Sequence, residues 1–269
     1  MGLKLEVCVE TLEGLAAAVA GGADRVELCS ALGLGGLTPS LGMMRAAAGC
    51  GVPVMAMIRP RAGDFIWSEA EVAAMEADIA AAREAGLAGV VLGASLPDGR
   101  LDEAVLARLV TAAGGRFLRR NRDGACEGSD PELSKIPGGL DLTLHRCFDL
   151  VPDLDAALEQ AVALGFRRVL TSGGAVTAAE GAARIGSLVG RAAGRIAVMA
   201  GAGVSAETAG ALLALGVREL HGSCAEAVVT GGRVSEMGFG PEVARRTSAA
   251  RVRALKQVME AVGGVQCHI

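Results

Sequence analysis

Short apolar runs alternate with Ala-rich helical patterns from one end of the chain to the other. Eight runs read as strands, at 4–9, 25–29, 53–59, 89–93, 141–146, 167–171, 195–200 and 217–221. The segments between them carry helix punctuation. Thr38-Pro39 reads as an N-cap followed by Pro at the first helical position, and Ser68 with Glu71 and Thr177 with Glu180 have capping-box spacing. Gly86, Gly165 and Gly216 fall where helices should stop. In the helix opening at Ser68, Val72, Met75, Ile79 and Ala82 share one face, as a helix lying on a sheet requires. Eight such β-α units predict an α/β fold, a single (β/α)8 TIM barrel spanning 1–269. The glycine fingerprint of a doubly wound nucleotide-binding sheet is missing after the first strand.

One interval is out of scale. The fourth and fifth strand starts lie 52 residues apart, against 21 to 36 elsewhere. The excess, 115–138, is polar and Gly-containing and reads as a surface insertion between helix 4 and strand 5. A C-terminal helix is expected at about 241–262.

Period-two alternation sorts each strand into helix-facing and barrel-facing residues. It turns Leu5, Val7, Val26 and Leu28 outward. Inward go Glu6 and Cys8, Glu27 and Cys29, Met55, Met57, Arg59 and Arg61, Thr143, His145 and Cys147, and Glu219 and His221. The polar members gather toward C-terminal strand ends, where barrels of this type place their chemistry. An apolar run ending in two guanidinium groups, as 54–61 does, must open onto water, a carboxylate or an anionic ligand. Glycine turns follow strands 6, 7 and 8, at Thr171-Ser172-Gly173-Gly174, Gly201-Ala202-Gly203 and Gly222-Ser223. With Arg59, Arg61 and Arg146 they favour a small anionic ligand, a phosphate or a carboxylate. The acid/base candidates are His145, Glu27, Asp64 and His221, with Glu6 beside them.

Composition narrows the chemistry. With 51% hydrophobic residues but 2% aromatic ones and no Tyr, the core is built from Ala, Val, Leu and Met. A net charge of -4 gives no reason to expect a nucleic-acid partner, and no run approaches the length that spans a bilayer. Seven cysteines without regular spacing suit a reducing cytosol better than a disulfide framework, so a cytoplasmic protein is expected. Lys4, Lys135 and Lys256, the only lysines, sit away from the C-terminal strand ends, which removes a Schiff-base mechanism. Cys8, Cys29, Cys147 and Cys224 follow or end strands and offer soft ligands of the kind Cu(I) takes.

Several blocks resemble the CutC family: Leu5-Glu6-Val7-Cys8, Gly22-Ala23-Asp24-Arg25-Val26-Glu27-Leu28-Cys29, Gly35-Gly36-Leu37-Thr38-Pro39-Ser40, Met57-Ile58-Arg59-Pro60-Arg61 with Gly63-Asp64-Phe65, His145-Arg146 with Phe148-Asp149, and Leu170-Thr171-Ser172-Gly173. The resemblance implies a (β/α)8 barrel, a cytoplasmic homo-oligomer (dimer or tetramer) and a role in copper homeostasis, with Cu(I) binding at Cys8 and Cys29. The alternative function is a barrel enzyme or sensor acting on a small anionic metabolite at Glu6, Arg59, Arg61, Arg146, Thr171, Ser172, Gly173, Gly201 and Gly203. This chain departs from the pattern at Ala62, Cys147 and Ala202 and in Gly222-Ser223-Cys224-Ala225, where an arginine of the last loop is missing.

Overall fold

The computed structural model describes residues 2–115 and 139–266. The insertion expected at 115–138 therefore lies outside the described residues from 116 onward. Eight parallel strands close into a barrel in sequence order: β1 (Lys4–Val9), β2 (Arg25–Leu28), β3 (Val54–Met57), β4 (Gly89–Leu92), β5 (Asp141–Leu144), β6 (Arg168–Thr171), β7 (Ala197–Ala200) and β8 (Glu219–Gly222). The closing pair sets Glu6 opposite His221, and the first pair sets Cys8 opposite Glu27.

Seven helices lie between or beside these strands: α1 (Leu12–Gly21), α2 (Leu41–Ala47), α3 (Glu69–Glu84), α4 (Glu103–Ala112), α5 (Leu154–Ala163), α6 (Ala182–Ala192) and α7 (Ala206–Ala214). The Ser68–Glu71 capping box forms at the start of α3, and Val72, Met75, Ile79 and Ala82 are its buried face. Thr177 and Glu180 exchange their bonds too, one turn before α6 begins. Thr38 does not cap α2; Ser40 does. Thr38 instead exchanges two bonds with the backbone of Arg59, its amide donating to the Arg59 carbonyl and its hydroxyl accepting from the Arg59 amide. That ties the loop after β2 to the end of β3 and fixes where Arg59 leaves the sheet.

The main core lies between barrel and helices. It joins Leu5, Val7, Val26, Leu28, Val54, Ala56, Val90 and Leu92 to the apolar helix faces, while Cys29, Met55, Met57 and Val91 form a separate cluster inside the barrel. Beyond β8 the chain makes a hairpin of β9 (Ala225–Val229) and β10 (Val243–Thr247), joined through α8 (Arg233–Glu236), before α9 (Ala249–Gln266). The helix expected from 241 thus starts at Ala249, because 243–247 pair antiparallel with 225–229. Val252, Leu255 and Met259 of α9 are buried, and at Gly21 the two helices come so close that a Cβ would lie 2.5 Å from Val252.

Candidate functional site

The lower barrel interior is a saturated ion layer. Arg25 pairs with Glu6 through Nε and with Glu219 through Nη2. Arg168 reaches Glu219 (3.2 Å), Asp141 (2.7 Å) and the Thr143 hydroxyl (3.0 Å). Burial alone would raise Glu6, but the Arg25 charge and a hydrogen bond from His221 outweigh it and hold the carboxyl down at about 2. Arg25 and Arg168 are the inward residues that sequence reasoning missed. Stepping back by two from Glu27 and from Leu170 would have found both.

Above this layer lies a cavity of about 1000 Å³. Cys8, Glu27, Met57, Arg59, His145, Leu170 and His221 line its base, and Leu32, Leu34, Phe65 and Arg146 line its side. Its upper wall comes from Gly203 to Glu207, Cys224, and Arg245 and Arg251 of the hairpin and α9. These two arginines restore positive charge where the last loop lacks one, and lie too far along the chain for strand alternation to place them.

Cys8, Glu27 and His221 converge at the base. One ligand atom from each lies within 4.8 Å of the others, and all three residues are buried. His221 Nδ1 bonds Glu6 Oε1 at 2.8 Å, leaving Nε2 for the cavity, 3.7 Å from Glu27 Oε2 and beyond ordinary hydrogen-bond reach. Burial opposes protonation of His221, yet the surrounding Glu27, Cys8 and Glu6 raise it well above the usual imidazole range. Burial pushes Glu27 upward, and its Oε1 has no hydrogen-bond partner among the described residues.

The donor set fits a metal ion: one sulfur, one imidazole nitrogen and one carboxylate oxygen. Thiolate and imidazole are ligands that copper accepts. Of the expected Cys8–Cys29 pair, Cys8 belongs to this cluster and Cys29 lies beside it. The Cys29 thiol lies under Gly36 and faces Glu27 Oε2 at 3.5 Å, and burial with the Glu27 charge holds it well above the usual thiol range.

Other expected site residues are placed elsewhere. Glu6 belongs to the ion layer below the cavity. Arg61 and Asp64 pair with each other (2.9 Å) in an exposed loop, where Arg61 also binds Glu71 and stacks over Trp67, 4.9 Å from its ring centre. Asp64 has a side chain 61% exposed and lies outside the cavity lining. Both lie beyond the last β3 ladder pair, where alternation no longer governs direction.

Cys147 also misses the mouth. The chain leaves β5 at Leu144 and turns into a 3-10 helix at Arg146–Leu150, which sends Cys147 into the outer core. At the β6 turn, Asp149 accepts from the Thr171 hydroxyl and from the Ser172 and Gly174 amides, while the Gly173 amide donates to Thr171. Thr171, Ser172 and Gly173 therefore cradle the chain's own carboxylate and do not offer a free anion seat. Arg146 lines the cavity but is engaged with Asp149 and Ser172. At Gly201 a Cβ would lie 2.5 Å from Leu170, so this glycine allows the close approach of β6 and β7. Gly203 does line the cavity. Ala202, next to it, holds a left-handed φ of 75° that favours glycine.

The CutC family model matches residues 3–120 and 128–226. A CutC family protein of Rhizobium meliloti (strain 1021) is 51% identical over 261 residues, covering 96% of this chain and 97% of that protein. One of Agrobacterium fabrum (strain C58 / ATCC 33970) is 47% identical over 260 residues, covering 96% and 94%. Among solved structures, CutC from Streptococcus agalactiae superposes with a TM-score of 0.70 at 32% identity, covering 82% of this chain and 98% of that one. By these matches, the chain belongs to the CutC family.

Proposed function

We propose that this protein serves copper homeostasis in the cytoplasm by binding Cu(I) through Cys8 Sγ and His221 Nε2, with Glu27 completing the site. The observation that carries this reading is the buried convergence of Cys8, Glu27 and His221 within 4.8 Å, with Glu27 Oε1 unpartnered. Glu6 adds support: a carboxylate on Nδ1 fixes the tautomer of a ligating imidazole and turns Nε2 to the metal. The Streptococcus agalactiae relative carries copper homeostasis in its name.

Anaerobic Cu(I) titration against a chromophoric chelator tests this reading. One Cu(I) per chain is expected, with affinity falling at least about 100-fold in Cys8→Ser, the upper end of what removing an outer-shell partner costs. Affinity in Cys8→Ser equal to wild type would refute the assignment.

A further inference from the structure

Two further buried polar atoms at the mouth lack partners among the described residues, and both are N–H donors. Arg59 is 6% exposed, with its guanidinium clamped by backbone carbonyls: Nη1 donates to Leu34 (2.8 Å) and Gly36 (3.1 Å), and Nη2 to Gly63 (3.0 Å). Its Nε–H has no partner. Every other buried arginine described is ion-paired; Arg59 has no carboxylate partner among the described residues. A buried cation held by carbonyl dipoles and an aromatic face is left without its counter-charge.

His145 is 3% exposed, and its Nδ1 accepts the Cys147 amide at 3.2 Å. Burial and the Arg59 charge lower the imidazole to about 3, so the ring is neutral and its single proton sits on Nε2. That Nε2 has no partner. Both groups pack against Phe65, with Arg59 Cζ 5.0 Å and the His145 ring 4.7 Å from its centre. At Gly93 a Cβ would lie 2.4 Å from His145 Cε1, so only glycine leaves the imidazole this position.

We propose that this side of the mouth is a carboxylate pocket: Arg59 Nε–H and His145 Nε2–H donate to a small organic acid whose carbon skeleton lies against Leu32, Leu34, Met57, Phe65 and Leu170. The donor count selects carboxylate over phosphate. The guanidinium fork is spent on carbonyls, leaving two single donors that suit a two-oxygen anion, and the amides of the β6 turn are spent on Asp149. The apolar wall suits an acid with an aliphatic chain. The cavity is also lined by four arginines, Arg59, Arg146, Arg245 and Arg251, against three carboxylates, Glu27, Asp149 and Glu207. The pocket needs none of the proposed copper ligands.

Calorimetric titration tests it, with butyrate, valerate, succinate and glutarate as probes, their methyl esters and inorganic phosphate as controls, and chelator present throughout. At least one acid is expected to bind, and its ester and phosphate are not. His145→Asn keeps an acceptor for the Cys147 amide but removes the Nε2–H, and should weaken that acid about tenfold. Arg59→Lys should weaken it at least as much. Cu(I) binding is expected to survive in His145→Asn, which reports that the variant is folded, and acid binding is expected to survive in Cys8→Ser. The two readings can therefore fail separately. The pocket is refuted if none of the four acids binds, if phosphate binds in their place, or if folded His145→Asn binds the acid as tightly as wild type.

Discussion

The lower and upper halves of the barrel interior use the same residue types to opposite ends. Below, Arg25 and Arg168 share Glu6, Glu219 and Asp141 so completely that each guanidinium touches two carboxylates. Above, within the same strands and their continuations, Glu27, Arg59 and His145 each keep a buried polar atom without a partner among the described residues. A paired buried layer offsets part of its own desolvation and is costly to break, whereas an unpaired one leaves that cost uncompensated. The floor is thus closed on itself and the proposed site falls in the unpaired half, although composition alone would not separate them.

The largest effect should come from breaking the floor. Arg25→Met leaves the buried Glu6 with His221 alone and Glu219 with Arg168 alone, and is expected to destabilise the fold by about 3–5 kcal/mol in urea unfolding. A loss below about 1 kcal/mol would show that the layer does not support the barrel.

Acid should separate the halves without mutation. Glu6 has its folded pKa lowered from 4.5 to about 2, so its contribution is fully present above pH 4.5 and is lost as pH falls toward 2. The shift corresponds to about 3 kcal/mol. Glu27 is shifted upward, so its contribution has the opposite sense: it is present below its unfolded pKa and lost as pH rises through the folded value. Urea midpoints followed from pH 6 to 2 should fall steeply below 4.5, and a flat profile there would contradict the pairing of Glu6 with Arg25.

The smallest effect should come from the mouth. Glu27→Gln removes a buried charge with an unsatisfied oxygen and is expected to leave stability at pH 7 unchanged or raised by about 1 kcal/mol. A loss beyond 2 kcal/mol would place Glu27 with the floor. Copper affinity should fall in the same variant, separating its role from a structural one.

Much of this contrast was legible in the sequence. The eight strands were readable because each is a short apolar run bounded by helix caps and glycines. The inward positions of Glu6, Glu27, His145 and His221 followed from period two. Alternation failed where strand pairing stops, and it stops at different places on different strands. His145 is one residue past β5, but its amide still bonds Leu92, so it keeps the inward direction. Arg61 and Cys147 have no such bond and turn away. The filled β6 turn was not readable either, because a glycine turn offers the same amides whether a ligand or Asp149 occupies them. That Cys8 groups with Glu27 and His221 was hidden for a similar reason. Cys8 lies in β1 and Cys29 just past β2, and only the placement of Glu27 and His221 shows which residues converge.

Copper K-edge X-ray absorption of the anaerobically loaded protein tests the central claim most directly, because it counts ligand types at the ion. One sulfur with nitrogen or oxygen scatterers is the predicted shell, unchanged in Cys29→Ser. Two sulfurs in the wild type, reduced to one in Cys29→Ser, would contradict the assignment and return the site to the paired cysteines.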